Sequence, residues 1–210
     1  MCNLGNTCFL NAIVQCFMHI VVLLQLLASI DHVSPCDIFS PTFRPNQQED
    51  AHEFLQCFLN KLESCCYNLE PQDNIVKEAF GGRLVSMLRC CNCCHLSVTH
   101  EPLIDLSLEI VDVDSVPEAL ESFTKIEKIE FVVQEVDKHV SFPLELDMLH
   151  YTNKINNEEM KYDLYAVIVH SGFSFSSGHY YSFIRCNPNK WYKFNDEQVH
   201  WVHQDLVLVE

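Results

Sequence analysis

The chain has 210 residues, 48% of them hydrophobic and 11% aromatic, with only 20% charged, so it folds around a substantial core instead of remaining disordered. Acidic residues outnumber basic ones by 29 to 13, a net charge of −16, which excludes a general phosphate-binding surface and hence nucleic acid as a partner. A basic protein or basic peptide tail would be attracted to such a surface.

In chain order, Gly5-Asn6-Thr7 is an entry turn into a helix that begins close to Cys8. Leu10, Ile13, Val14, Phe17, Val21 and Leu24 recur at three and four residues and mark its core-facing stripe. The apolar stretch from Phe9 to Ala28 is interrupted by Asn11, Gln15, His19 and Gln25, so it reads as a buried helix and not a membrane span. An irregular segment, His32 to Pro45, is followed by the polar run Asn46 to Asp50, which supplies the cap and first-turn acids of a second helix carrying Phe54, Leu55, Phe58, Leu59 and Leu62. From Leu84 onward the texture changes to short strand-like runs: Leu103 to Val111, Phe131 to Val136, Tyr162 to Val169 and Tyr180 to Ile184. The expectation is one α+β unit spanning 1–210, helical over about 1–80 and strand-rich over about 81–210.

Two sites stand out chemically. A thiol at the start of a helix lies near the positive end of the helix dipole and unpaired N–H groups, which favour the thiolate, and Cys8 holds that position. Alone, such a cysteine is more often a small buried hydrophobe. The second site is the segment His170 to Tyr181, followed by a turn near Pro188 and then Trp191 to Asp196. If this is a hairpin centred on that turn, paired residue numbers sum to about 376 and His179 lies beside Asn195, Asp196 and Glu197. An imidazole fixed by a carboxamide or carboxylate is what a thiol nucleophile needs from its base. The chain has five glycines, and three of them, Gly5, Gly172 and Gly178, flank these two sites.

The segment Asn3-Leu4-Gly5-Asn6-Thr7-Cys8-Phe9-Leu10-Asn11 resembles the cysteine box of the ubiquitin-specific proteases. Gln47 to Leu55 resembles that family's glutamine-rich motif, and Tyr165 to Asp196 its histidine box, all in the family's order. The resemblance implies a papain-like α+β fold with a helical thumb, a β-rich palm and truncated fingers. It implies a thiol protease, a deubiquitinase cleaving the (iso)peptide bond after the C-terminal glycine of ubiquitin. Cys8 would be the nucleophile, His179 the base, Asn195 its orienting residue with Asp196 as neighbouring backup, and Asn3 the oxyanion-hole donor, with Asn6 as the weaker alternative. Asp50 and Glu53 would bind the arginine-bearing ubiquitin tail, with Gln48 and Gly178 beside them. An acid in a first helical turn also stabilises the helix dipole, which is the competing reading of Asp50 and Glu53. The implied partners are ubiquitin and ubiquitinated proteins, with no nucleic acid and no membrane.

Clustered cysteines among the twelve, and a start with no basic, cleavage-type leader, place the chain in the cytoplasm or nucleus as an expectation. Catalysis by this set requires no cofactor. Cys90 and Cys93 match one half of the family's zinc ribbon, but no second Cys-x-x-Cys pair follows, so a structural zinc site is incomplete. The second pair and a core strand are missing between Thr124 and Phe131. A shortened domain is expected, and the alternative to an active enzyme is a catalytically defective, ubiquitin-binding paralogue or fragment.

Overall fold

The computed structural model describes residues 1–20, 24, 47–65, 75–90, 92–125, 138–152, 160–174 and 177–210. Val21, the segment 32–45 and the run Phe131 to Val136 lie outside them. Helix α1 spans Cys8–Phe17 and α2 spans Ala51–Cys65, with a short α3 at Ile75–Phe80. Aromatic contacts join the two long helices: Phe9 meets Phe54 edge-on at 5.6 Å and Phe17 stacks on Phe58 at 5.0 Å. Helix α2 starts where it does because the Asp50 carboxylate accepts hydrogen bonds from the backbone N–H of His52 and Glu53.

The expected stripe on α1 is only half of what is buried. Ile13 and Phe17 are buried as the periodicity requires, but so are Cys8, Phe9, Ala12 and Cys16, while Leu10 and Val14 are half-buried. The helix is wedged between α2 and the main sheet, so it is covered nearly all round, and even Asn11 and Gln15 are buried. Burial drives the Cys16 thiol up to about 12, which keeps it protonated and inert.

Among the described residues the strands form three antiparallel sheets. Strands β1 (Gly82–Arg89) and β2 (Leu96–Leu103) make a two-stranded ribbon, β3 (Glu145–Asp147) and β4 (Lys161–Asp163) a short pair, and β5 (Ala166–Ser174), β6 (Ser177–Asn187), β7 (Lys190–Asn195) and β8 (Gln198–Val202) a four-stranded sheet in that order. The register expected for the hairpin holds: Ser182 pairs with Phe194, Phe183 with Lys193 and Ile184 with Tyr192. Beneath this sheet Phe183 and Trp191 are fully buried together with Val207 of the short helix α5 (Gln204–Val207).

Three expectations are corrected. The run Leu103 to Val111 is not a strand beyond Leu103; Ile104 instead packs on the helical core and Asp105 binds His52 of α2 at 2.8 Å. That hydrogen bond holds the Asp105 carboxyl below its ordinary range. The run Tyr162 to Val169 is two strands, because the backbone changes partner at Leu164, whose N–H goes to Leu144, and at Tyr165, whose carbonyl accepts from Arg185. A helix, α4 (Val116–Thr124), occurs within the strand-rich part, capped by Ser115 with Glu118 reaching back to the Asp114 N–H. The Ser115-Val116-Pro117-Glu118 sequence is a readable capping box that the strand texture around it obscured. No helix among the described residues is long and apolar enough to cross a membrane.

Candidate active site

Helix α1, which begins at Cys8, packs directly against β6, the strand that carries His179. Cys8 is 2% exposed and shares the helical core cluster with Tyr180, the residue after His179. On the far side of the hairpin, the His179 Nε2 atom lies 2.6 Å from Asn195 Oδ1. A carboxamide oxygen can only accept, so Nε2–H donates, and in the neutral ring the lone pair is left on Nδ1. Asn195 is therefore the residue that fixes the His179 tautomer.

Asp196, expected as the neighbouring backup, has a left-handed backbone, with φ of 51°, and its side chain meets the start of the chain. There its carboxylate accepts from Asn3 Nδ2 at 3.1 Å and from Asn11 Nδ2 at 2.7 Å. The Asp196 carbonyl accepts from Gln15 Nε2 at 2.8 Å and from the Met1 nitrogen at 3.0 Å. A cleft lined by Cys2, Asn3, Asn195, Asp196, Glu197 and Gln198 opens beside this junction.

Asn3 is itself locked. Its Oδ1 accepts from the backbone N–H of Gly5 and of Thr7, both at 3.1 Å, while one N–H of Nδ2 goes to Asp196 and the other remains as a donor. Gly5 and Asn6 both have positive φ, 98° and 57°, so the entry turn bends as the glycine predicts.

The glutamine-rich segment supports the other side. Gln48 is buried, accepts the Gly178 N–H at 3.1 Å and places its Nε2 3.4 Å from His170 Nε2. His170 in turn lies against the Tyr180 ring, with centroids 4.4 Å apart. Gly178 has φ of 153°, and a Cβ there would meet His170 Nε2 at 2.5 Å; one at Gly172 would meet the Ser177 carbonyl at 2.4 Å. Both glycines thus allow two strands to close tightly beside His179. Asp50 caps α2 with one oxygen and accepts from the Tyr180 hydroxyl at 3.3 Å with the other, while Glu53 one turn on is exposed. Burial, then the charge of Asp50, pushes the Tyr180 phenol up to about 12.

Cys90 and Cys93 sit at the tip of the β1–β2 ribbon, where both are exposed. The backbone N–H groups of Cys93 and Asn92 hold the Cys90 thiol below its ordinary range. Among the described residues no group of three or more His, Cys, Asp or Glu side chains converges as metal ligands. Sequence reasoning missed Asn11 and Gln15. Their signal was their spacing: Cys8, Asn11 and Gln15 fall at i, i+3 and i+7, along one stripe of the helix.

The family description "Ubiquitin carboxyl-terminal hydrolase" matches residues 32–209, a span that contains His179 and Asn195 but begins after Cys8. Among curated proteins, ubiquitin carboxyl-terminal hydrolases 20 and 21 of Arabidopsis thaliana are 35% and 33% identical over 98% of this chain, which spans about two fifths of their length (41% and 40%). The first of these alignments runs over 285 positions, more than the chain's own 210 residues, so the relative carries segments this chain lacks. Among solved structures, the SAGA Ubp8/Sgf11/Sus1/Sgf73 DUB module bound to ubiquitin aldehyde shares the fold, with a TM-score of 0.82 at 23% identity, over the whole of this chain and 67% of the other. The chain belongs to the ubiquitin carboxyl-terminal hydrolase family, of whose catalytic domain it is a shortened α+β representative.

Proposed function

We propose that this chain is a deubiquitinating cysteine protease that hydrolyses the peptide or isopeptide bond after the C-terminal glycine of ubiquitin. The observation that carries the reading is the 2.6 Å hydrogen bond from His179 to Asn195, on the strands against which the Cys8 helix packs. In this mechanism the Nδ1 lone pair of His179 takes the Cys8 proton and Sγ attacks the glycine carbonyl. The Asn3 amide donates to the resulting oxyanion, an interaction of about 3 kcal/mol in acyl transfer. His179 returns its proton to the departing amine, leaving a thioester. Water, deprotonated by the same imidazole, then hydrolyses it and restores the thiol.

Substrate selection would fall to the loop from Gly172 to Gly178 beside His179, which the resemblance matches to the slot for a Gly-Gly end. Glu53, with what Asp50 retains beyond its cap, would pair with arginines of the ubiquitin tail. On this reading the partners are ubiquitin and its conjugates, and the compartment is the cytoplasm, the nucleus or both. No metal takes part in these steps. The test is kinetic. His179→Ala should lower kcat on a ubiquitin C-terminal amide by about 10³-fold, with ubiquitin affinity within about twofold. Equal losses in turnover and binding would show that His179 is structural.

A further inference from the structure

Helix α1 buries two primary amides, Asn11 at 2% and Gln15 at 7% exposure, in a position where apolar residues would be more stable. Gln15 Oε1 is buried and has no partner among the described residues, so half of that amide is desolvated without compensation. Both Nδ2 of Asn11 and Nε2 of Gln15 reach across to Asp196, one to the carboxylate and one to the carbonyl. Asp196 is the residue after Asn195, and it occupies a left-handed conformation that a local sequence preference alone does not secure.

We propose that Asn11 and Gln15 are positioning residues, a two-point tether that sets the Cys8 helix at a fixed distance from the Asn195–Asp196 turn and so aligns nucleophile, imidazole and the Asn3 donor. The inference rests on the reading of Cys8 and His179 given above. Geometry supports it in three ways. Cys8, Asn11 and Gln15 lie on one stripe of one helix, so a grip on the last two fixes the azimuth of the first. The same carboxylate that takes Asn11 on one oxygen takes Asn3 on the other, so tension at one end is felt at the other. Among the described residues the Asn195 side chain hydrogen-bonds His179 and no residue of α1, so its position relative to the helix follows from its neighbour.

The test uses the full chain and three variants: Asn11→Asp, Gln15→Met, and Asn11→Asp combined with Asp196→Asn. In the first, a carboxylate replaces the donor 2.7 Å from Asp196 and two negative charges face each other. In the combined variant the donor and acceptor are exchanged, because the new amide can donate to the new carboxylate and still accept from Asn3 with its oxygen. Turnover of a ubiquitin C-terminal amide, melting temperature and the downfield imidazole proton of the His179–Asn195 hydrogen bond are measured for each. Asn11→Asp should lower kcat by about 10- to 100-fold with little change in KM and shift or broaden the imidazole proton. The exchange should restore both, kcat to within about fivefold. Gln15→Met should lower kcat by about three- to tenfold while the melting temperature stays level or rises, which a merely structural glutamine would not do.

An imidazole proton unmoved in Asn11→Asp and Gln15→Met overturns the tether, whatever the activity. So does a kcat loss that tracks the melting temperature and is not restored by the exchange. A parent chain that shows the proton and its response to the variants, but no turnover, would uphold the tether and refute the proposed function.

Discussion

The β5–β8 sheet with its helix and the β1–β2 ribbon are both regular antiparallel ladders but are held in different ways. In the sheet, Trp191, Phe183 and Ile184 are fully buried, α1 covers the surface, and side chains from residues 3, 11 and 15 cross-link to residue 196. In the ribbon the ladder is regular over eight residue pairs, yet Met87, Leu88, Leu96 and Val98 are each more than 40% exposed. A two-stranded ribbon has two open edges and little to pack against, and in isolation such a pair is marginal. The proposed chemistry is confined to the region where packing over-determines geometry.

The largest expected difference is in stability. Trp191→Ala should cost about 3 to 5 kcal/mol, because it empties a fully buried site beneath β7, whereas Met87→Ala should stay within about 0.5 kcal/mol. Urea denaturation of both variants measures it. Similar losses would mean that the ribbon is as tightly packed as the sheet.

Next comes recognition. If the grip on ubiquitin's globular face depends on a ribbon of this kind while the tail site depends on Gln48, Glu53 and Gly178, then a ubiquitin tail peptide should compete nearly as well as the whole protein. Competition against a labelled ubiquitin substrate tests this. A preference for whole ubiquitin of about 100-fold, or about 2.7 kcal/mol, would show that the ribbon or another surface supplies the grip.

A smaller effect separates the two acids of α2. Asp50→Ala should lower stability by about 1 kcal/mol, because it removes the acceptor of the His52 and Glu53 N–H groups. Glu53→Lys should leave the melting temperature nearly level and raise KM for ubiquitin substrates. Measured together, the two variants apportion cap and tail binding, and an unchanged KM in Glu53→Lys would remove that residue from the tail site.

Much of the site was legible because its signals are local. The start of α1 at Cys8 follows from the entry turn and the apolar repeat, and the juxtaposition of His179 with Asn195 follows from counting outward from the Pro188 turn. What was not legible depends on partners far away in sequence. Asn11 and Gln15 look like solvent-facing breaks in an apolar helix, and only Asp196, 185 and 181 positions further on, explains their burial. Asp196 looked interchangeable with Asn195 until its left-handed backbone assigned it a different neighbour. The Leu103 to Val111 run has a strand's alternation but leaves the ladder after Leu103, and Ile104 packs on helices, since periodicity reports which side is apolar and not what lies against it. Helix α4 was overlooked although its capping box is local, because a nine-residue helix is shorter than the window in which a helical period becomes distinct.

The central claim, that Cys8 is a nucleophile served by His179, is tested most directly by incubating the chain with ubiquitin bearing a C-terminal electrophile and mapping the adduct by mass spectrometry. The account predicts a single adduct on Cys8, absent in Cys8→Ala and greatly slowed in His179→Ala, with buried Cys16 and half-buried Cys57 unlabelled. No adduct, or one carried by Cys16 or Cys57, would contradict it.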